Sequence, residues 1–195
     1  MSERDRIWDQ LQRTFEGGDA WRCPSLRDLL AIVSAPQAAA RAVAGAPTIW
    51  ELLLHATVYE NVVRRRLEGE HVETLPDELG WPKPADTSTA AWLQTKLDFG
   101  EARRELRQAV AAFPEARLGE NVPGREYTFY VMLHGAIEHA LYHAGQIEML
   151  MVAQGVRPSA APMSSACSRA AKGVPRPPDR PDLGRRNHHA AHHVC

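Results

Sequence analysis

Three histidines carry the chemistry this sequence can be read for. His139 and His143 stand four apart in the uninterrupted stretch from Tyr127 to Gly155, and His55 stands alone in an earlier segment. On a helix, residues i and i+4 lie one above the other. Two imidazoles so placed offer nitrogens at a chelating separation, which is half of a metal site. His55 is the natural third ligand. Three neutral imidazoles with a position left open make a centre that activates a water or a thiol, whereas a closed structural site takes a fourth protein ligand. Each ring also has a plainer reading, since a histidine on an apolar face is commonly a hydrogen-bonded core residue.

Other chemistry fits less well. His139-Ala140-Leu141-Tyr142-His143 has alanine where a zinc protease of the HExxH type needs its general-base glutamate, and Glu138 precedes the pair and points elsewhere. A carboxylate di-iron bundle needs two Glu-x-x-His motifs, and the one match, Glu68 to His71, falls at a helix end beside Gly69. With no obvious general base on the same helix faces, attack by a thiolate suits the site better than hydrolysis. Gln146, three residues past His143, is a candidate to hydrogen-bond a ligand or water. Tyr59 and Tyr142 read as packing, with a supporting place at the site as the alternative. His134 points away from the apolar face, and His71 reads as a solvated loop residue.

The elements that must position these rings follow from apolar spacing. Residues 127–155 contain no proline and stop at Gly155 ahead of Arg157-Pro158. At about 100° per residue, Phe129, Met132, Leu133, Ala136, Ala140, Ile147, Leu150 and Met151 share one face, with His139 and His143 at its edge. Thr48 and Glu51 form a capping box that opens a helix to about Gly69. Its inner stripe is Leu52, Ala56, Tyr59, Val63 and Leu67, with His55 alongside. Residues 3–16 form an amphipathic helix on Ile7, Leu11 and Phe15, with Trp8 adjoining. Thr87 or Ser88 starts another, to about Phe113, on Trp92, Leu93, Leu97, Ala102, Leu106 and Val110. Ser25 and Ser34 each head a short helix. Residues 70–86 and 115–126 are connections, the second extended around Asn121 to Gly124, and both are placed to shape a pocket mouth. The expectation is all-α: a four-helix bundle over 1–156 with short extra helices, then a disordered Pro-, Ala-, Arg- and His-rich tail over 157–195.

Composition narrows the setting. A chain of 195 residues with a formal net charge of −1 and a pI near 6.8 has no electrostatic footprint for nucleic acid or an anionic membrane. No apolar run reaches the ~18 residues of a spanning helix. The charged start, MSERDR, is not a secretory signal. Three scattered cysteines (Cys23, Cys167, Cys195) do not make a disulfide framework, so a cytoplasmic setting is expected. The ending His188-His189-Ala190-Ala191-His192-His193-Val194-Cys195 could capture metal, but reads better as incidental.

The segments PTIWELLLHATVYENVVRRRLEGE (47–70) and HGAIEHALYHAGQIEML (134–150) resemble those of the DinB/YfiT-like superfamily. That group pairs a four-helix bundle with a three-histidine metal site: one histidine in the second helix, and an HxxxH pair followed by Gly-Gln-Ile in the last. His55, His139, His143 and Gly145-Gln146-Ile147 occupy the matching positions, and the resemblance covers roughly residues 3–155. It implies a divalent metal ion (zinc, nickel or iron) on those histidines. It also implies a small-molecule substrate, because some relatives are thiol transferases using low-molecular-weight thiols and many are described as metal-dependent hydrolases. The enzyme expected is thus a thiol S-transferase or a hydrolase, with a non-catalytic metal-binding bundle or a helical interaction protein as the alternative. Nucleic-acid and membrane partners are not expected; a homodimer is one expectation. The tail departs from the pattern, as relatives usually stop soon after the last helix.

Overall fold

A computed structural model describes residues 1–17 and 24–156. Trp21, Cys23, the tail from 157, its histidine-rich ending and the remaining cysteines lie outside the described residues. Four long helices make the body: α1 (Glu3–Glu16), α4 (Ile49–Leu67), α6 (Thr89–Ala112) and α7 (Phe129–Ala153). Short helices α2 (Leu26–Ala31) and α3 (Ala35–Ala39) cover one end, and α5 (Asp77–Gly80) interrupts the α4–α6 connection. Among the described residues there is no strand, only an isolated bridge between Asn121 and Thr128.

Local signals start these helices where the sequence places them. Thr48 Oγ1 accepts from the Glu51 N–H at 3.1 Å and the Glu51 carboxylate accepts from the Thr48 N–H at 2.8 Å, satisfying donors that a helix start leaves open. Ser2 and Ser25 cap α1 and α2 with the same reciprocal arrangement. Ser88 caps α6 and Thr128 caps α7.

Apolar faces then pack as two clusters rather than one. Leu52, Leu53, Ala56, Trp92, Phe99, Ala144 and Ile147 belong to the first, beneath α2 and α3. Ile7, Leu11, Val63, Leu67, Leu106, Phe129, Leu133 and Ile137 belong to the second. Between them α4 contributes Tyr59 and Glu60, α6 contributes Arg103, and α7 contributes His139: a polar waist. Arg103 is buried and donates to Glu60 Oε1 at 2.6 Å, with its other terminal nitrogen on Leu11 O at 2.6 Å, so one guanidinium ties α6 to α4 and α1. Burial pushes the Glu60 carboxyl up, against the pull of Arg103.

Two expectations change. Leu93 and Leu97 are 54 % and 58 % exposed, and the buried face of α6 is Trp92, Thr95, Phe99, Ala102, Arg103, Leu106 and Val110. Trp92 sets that rotation: its indole N–H donates to Val33 O at 2.8 Å and its ring packs 5.0 Å from Trp50. Residues 122–125 are a hydrogen-bonded turn rather than extended chain. The Arg125 N–H donates to Val122 O at 2.9 Å, and Gly124 takes φ +73°; with Pro123 before it, this is the signature of a type II turn.

Candidate metal centre

α4 and α7 lie side by side and antiparallel, because His55 of α4 meets His139 and His143 of α7 while Arg66 of α4 meets Tyr127 just before α7. The three histidines therefore converge from two helices. Their candidate ligand atoms lie within 4.8 Å of one another. His139 Nε2 is 3.1 Å from His55 Nε2 and 2.9 Å from His143 Nε2. His55 and His143 are buried, and His139 is half-buried.

The outer nitrogens decide what those contacts mean. His55 Nδ1–H donates to the Gly80 carbonyl at 2.7 Å. His143 Nδ1–H donates to Gln146 Oε1 at 2.6 Å. An acceptor opposite Nδ1 puts the proton there, so each neutral ring presents a lone pair at Nε2. His139 has at most one Nε2 proton to set against two facing lone pairs. A single cation in their midst satisfies all three. A tetrahedral ion with bonds of about 2.0–2.1 Å holds its ligand nitrogens about 3.3 Å apart, a few tenths of an ångström wider than the two separations to His139 Nε2.

Electrostatics keeps the rings in the ligating state. Burial, as the largest cause, lowers the pKa of all three. His139 is pushed down to about 4, with repulsion from His143 and His55 adding to burial. The hydrogen bonds to Gly80 and Gln146 oppose the shift in His55 and His143. Near neutral pH three uncharged imidazoles face one point.

The α4–α6 connection supplies more than a mouth. α5 ends at Gly80, whose carbonyl orients His55, and the next residue, Trp81, stacks on the His55 ring at 3.7 Å and 14°. Neither contact is visible in the spacing of the histidines. The available signal was a lone Gly-Trp pair inside a polar, proline-bracketed loop. Glu60 and Arg103 were legible in principle, as charged residues in the apolar stripes 56–60–63–67 and 99–103–106–110.

Other residues singled out lie further from the centre. Tyr59 packs 4.7 Å from the His55 ring and 5.3 Å from His139. Tyr142 is 5.2 Å from His143 but mostly exposed. His134 faces α1, with Nε2 3.6 Å from Glu3, and His71 is exposed beside Gly124. A cavity of about 290 Å³ runs between α4 and α7, with Tyr59 and His139 at one end and Arg66 and Tyr127 at the other.

Neither the curated proteins nor the solved structures contain a match to this chain. A family model does match, over residues 23–147, and its span takes in His55, His139 and His143. Helices alone and three converging imidazoles agree with it: the chain belongs to the DinB superfamily.

Proposed function

We propose that this protein is a divalent-metal enzyme acting on a small molecule, with His55, His139 and His143 as its metal ligands and transfer of a low-molecular-weight thiol as its reaction. The single observation behind this reading is the shared focus of the three Nε2 atoms, two of them fixed as lone-pair donors by Gly80 and Gln146. Imidazoles suit zinc, nickel and iron. Such an ion supplies Lewis acidity, which holds a thiol as its nucleophilic thiolate or acidifies a water.

The chain's own residues do the rest. Gly80 and Gln146 keep two rings in the ligating tautomer, as outer partners of metal-bound histidines do. Trp81 covers the His55 ring against solvent. His139 forms part of the wall of the α4–α7 cavity, so a molecule held there lies beside the centre. Glu60, the buried carboxylate on that wall, has one oxygen committed to Arg103. Its other oxygen has no hydrogen-bond partner among the described residues, and an ion that acidifies water serves hydrolysis as it serves thiol transfer, so the assay below decides between the two reactions.

The test is metal analysis of untagged protein, followed by the same measurement on His55→Ala and His143→Ala. Stoichiometric metal in the parent and its loss in both variants is the expected result; a metal-free parent after incubation with zinc, nickel and iron removes the proposal. Incubating the loaded protein with chlorodinitrobenzene and each low-molecular-weight thiol in turn then separates an enzyme from a passive metal binder.

A further inference from the structure

The far end of the α4–α7 cavity carries a charge that the protein leaves uncompensated. Arg66 is 8 % exposed, and its neighbours are neutral oxygens: Nε and Nη2 donate to Val72 O at 3.2 and 2.8 Å, and Nη1 donates to Tyr127 Oη at 2.8 Å. Arg125 donates to the same Val72 carbonyl at 2.9 Å and to Thr74 Oγ1 at 2.9 Å. Among the described residues neither guanidinium forms an ion pair with a carboxylate. Two cations thus share one carbonyl, one of them buried, although buried charges are ordinarily paired. Burial is the main cause of the lowered pKa of Arg66, and Arg125 adds to it.

The donor count says what would complete this end. A guanidinium has five N–H groups, and three of those on Arg66 are engaged. The two left over sit one on each terminal nitrogen, and a carboxylate is the acceptor whose charge matches them. The rest of the wall is mostly apolar, with Val63, Val131, Met132 and Ala136 along it. Glu60 adds no net charge there, because Arg103 neutralises it. From Tyr59 to Arg66 the helix rises about 10 Å at 1.5 Å per residue, and Tyr59 and His139 close the other end.

We infer that this cavity takes a carboxylate-bearing, otherwise apolar molecule, its carboxylate on Arg66 and its opposite end directed toward His139. The inference gives a substrate class to the enzyme proposed above and rests on that reading only for the word substrate, since the carboxylate end needs no metal.

The probes are 4-phenylbutyrate and its uncharged twin 4-phenylbutyramide, titrated calorimetrically into the full chain after chelation and again with one equivalent of zinc. The acid should bind about tenfold or more tighter than the amide, the worth of a charge-assisted hydrogen-bond pair. That preference should disappear in Arg66→Met, while Val131→Trp, which places a larger ring at the exposed rim of the cavity and touches none of the hydrogen-bond partners of Arg66, should weaken both ligands. Metal content measured on the same samples should be unchanged in both variants. Equal affinity for acid and amide, no saturable binding of either, or an acid preference that survives Arg66→Met overturns the inference. The parent and Val131→Trp decide the matter even if Arg66→Met does not fold. An acid preference in a protein that takes no metal keeps the cavity's assignment and removes the metal enzyme; stoichiometric metal with no acid preference does the reverse.

Discussion

A histidine ligand is defined by the nitrogen that does not touch the metal. In His143 that nitrogen is held by Gln146 at 2.6 Å, which fixes the tautomer and the ring plane together. Gln146→Ala should leave the fold intact, because the side chain is half-buried and belongs to neither apolar cluster. It should weaken metal binding by about 10–100-fold, the usual effect of removing such a partner, measured by competition with a coloured chelator. Unchanged affinity would mean that Gln146 is incidental to the ring's orientation. The three imidazoles were legible in the sequence because their spacing and their neighbours mark them. The Gly80 carbonyl was not, since a backbone oxygen has no residue type to read. Trp81 was equally hidden, its stacking on His55 depending on where α5 happens to end.

Helices in this bundle are located by their caps and oriented by a few committed side chains. The caps were legible: Thr48 with Glu51, and Ser25 with Asp28, are reciprocal pairs three residues apart. The rotation of α6 was not, because Leu93 and Leu97 also recur at helical spacing, and only the reach of Trp92 to Val33 and of Arg103 to Glu60 chooses between faces. Arg103 therefore carries a prediction about the whole α1–α4–α6 contact. Arg103→Met leaves Glu60 buried without its partner and should cost about 3–5 kcal/mol in urea unfolding. Adding Glu60→Leu to that variant should recover most of the loss, since an apolar pair of similar volume is often neutral there. A double variant as unstable as the single would show that Arg103 acts through Leu11 and Thr14 instead. The turn at 122–125 makes a smaller claim. Gly124→Ala should cost at least the about 1–2 kcal/mol of a side chain in left-handed backbone, read by urea unfolding, because at φ +73° its Cβ would also collide with the exposed His71 ring, which must move aside.

At the scale of the molecule, the two apolar clusters hold the bundle closed around a waist of groups that prefer water or an ion, and this couples stability to pH and to metal. His55, His139 and His143 all have lowered pKa values, His139 to about 4, whereas the unfolded chain titrates near the ordinary 6.5. Between those values the unfolded state binds more protons, so stability rises with pH. The contribution of these rings is complete above pH 6.5 and is lost as pH falls toward about 4. Asp5, Glu51 and Asp86, whose carboxyls are also held low, add to any loss in acid. The comparison that isolates the waist is the parent against His139→Leu, which should show a shallower decline of Tm over that window in calorimetry without metal. Zinc at about 100 times its Kd should add about 2.7 kcal/mol at pH 7.5. The increment should shrink toward pH 5, because the ion competes with protons for the same Nε2 lone pairs. An increment equal at both pH values, or one retained by His139→Leu, would place the bound ion away from these three rings.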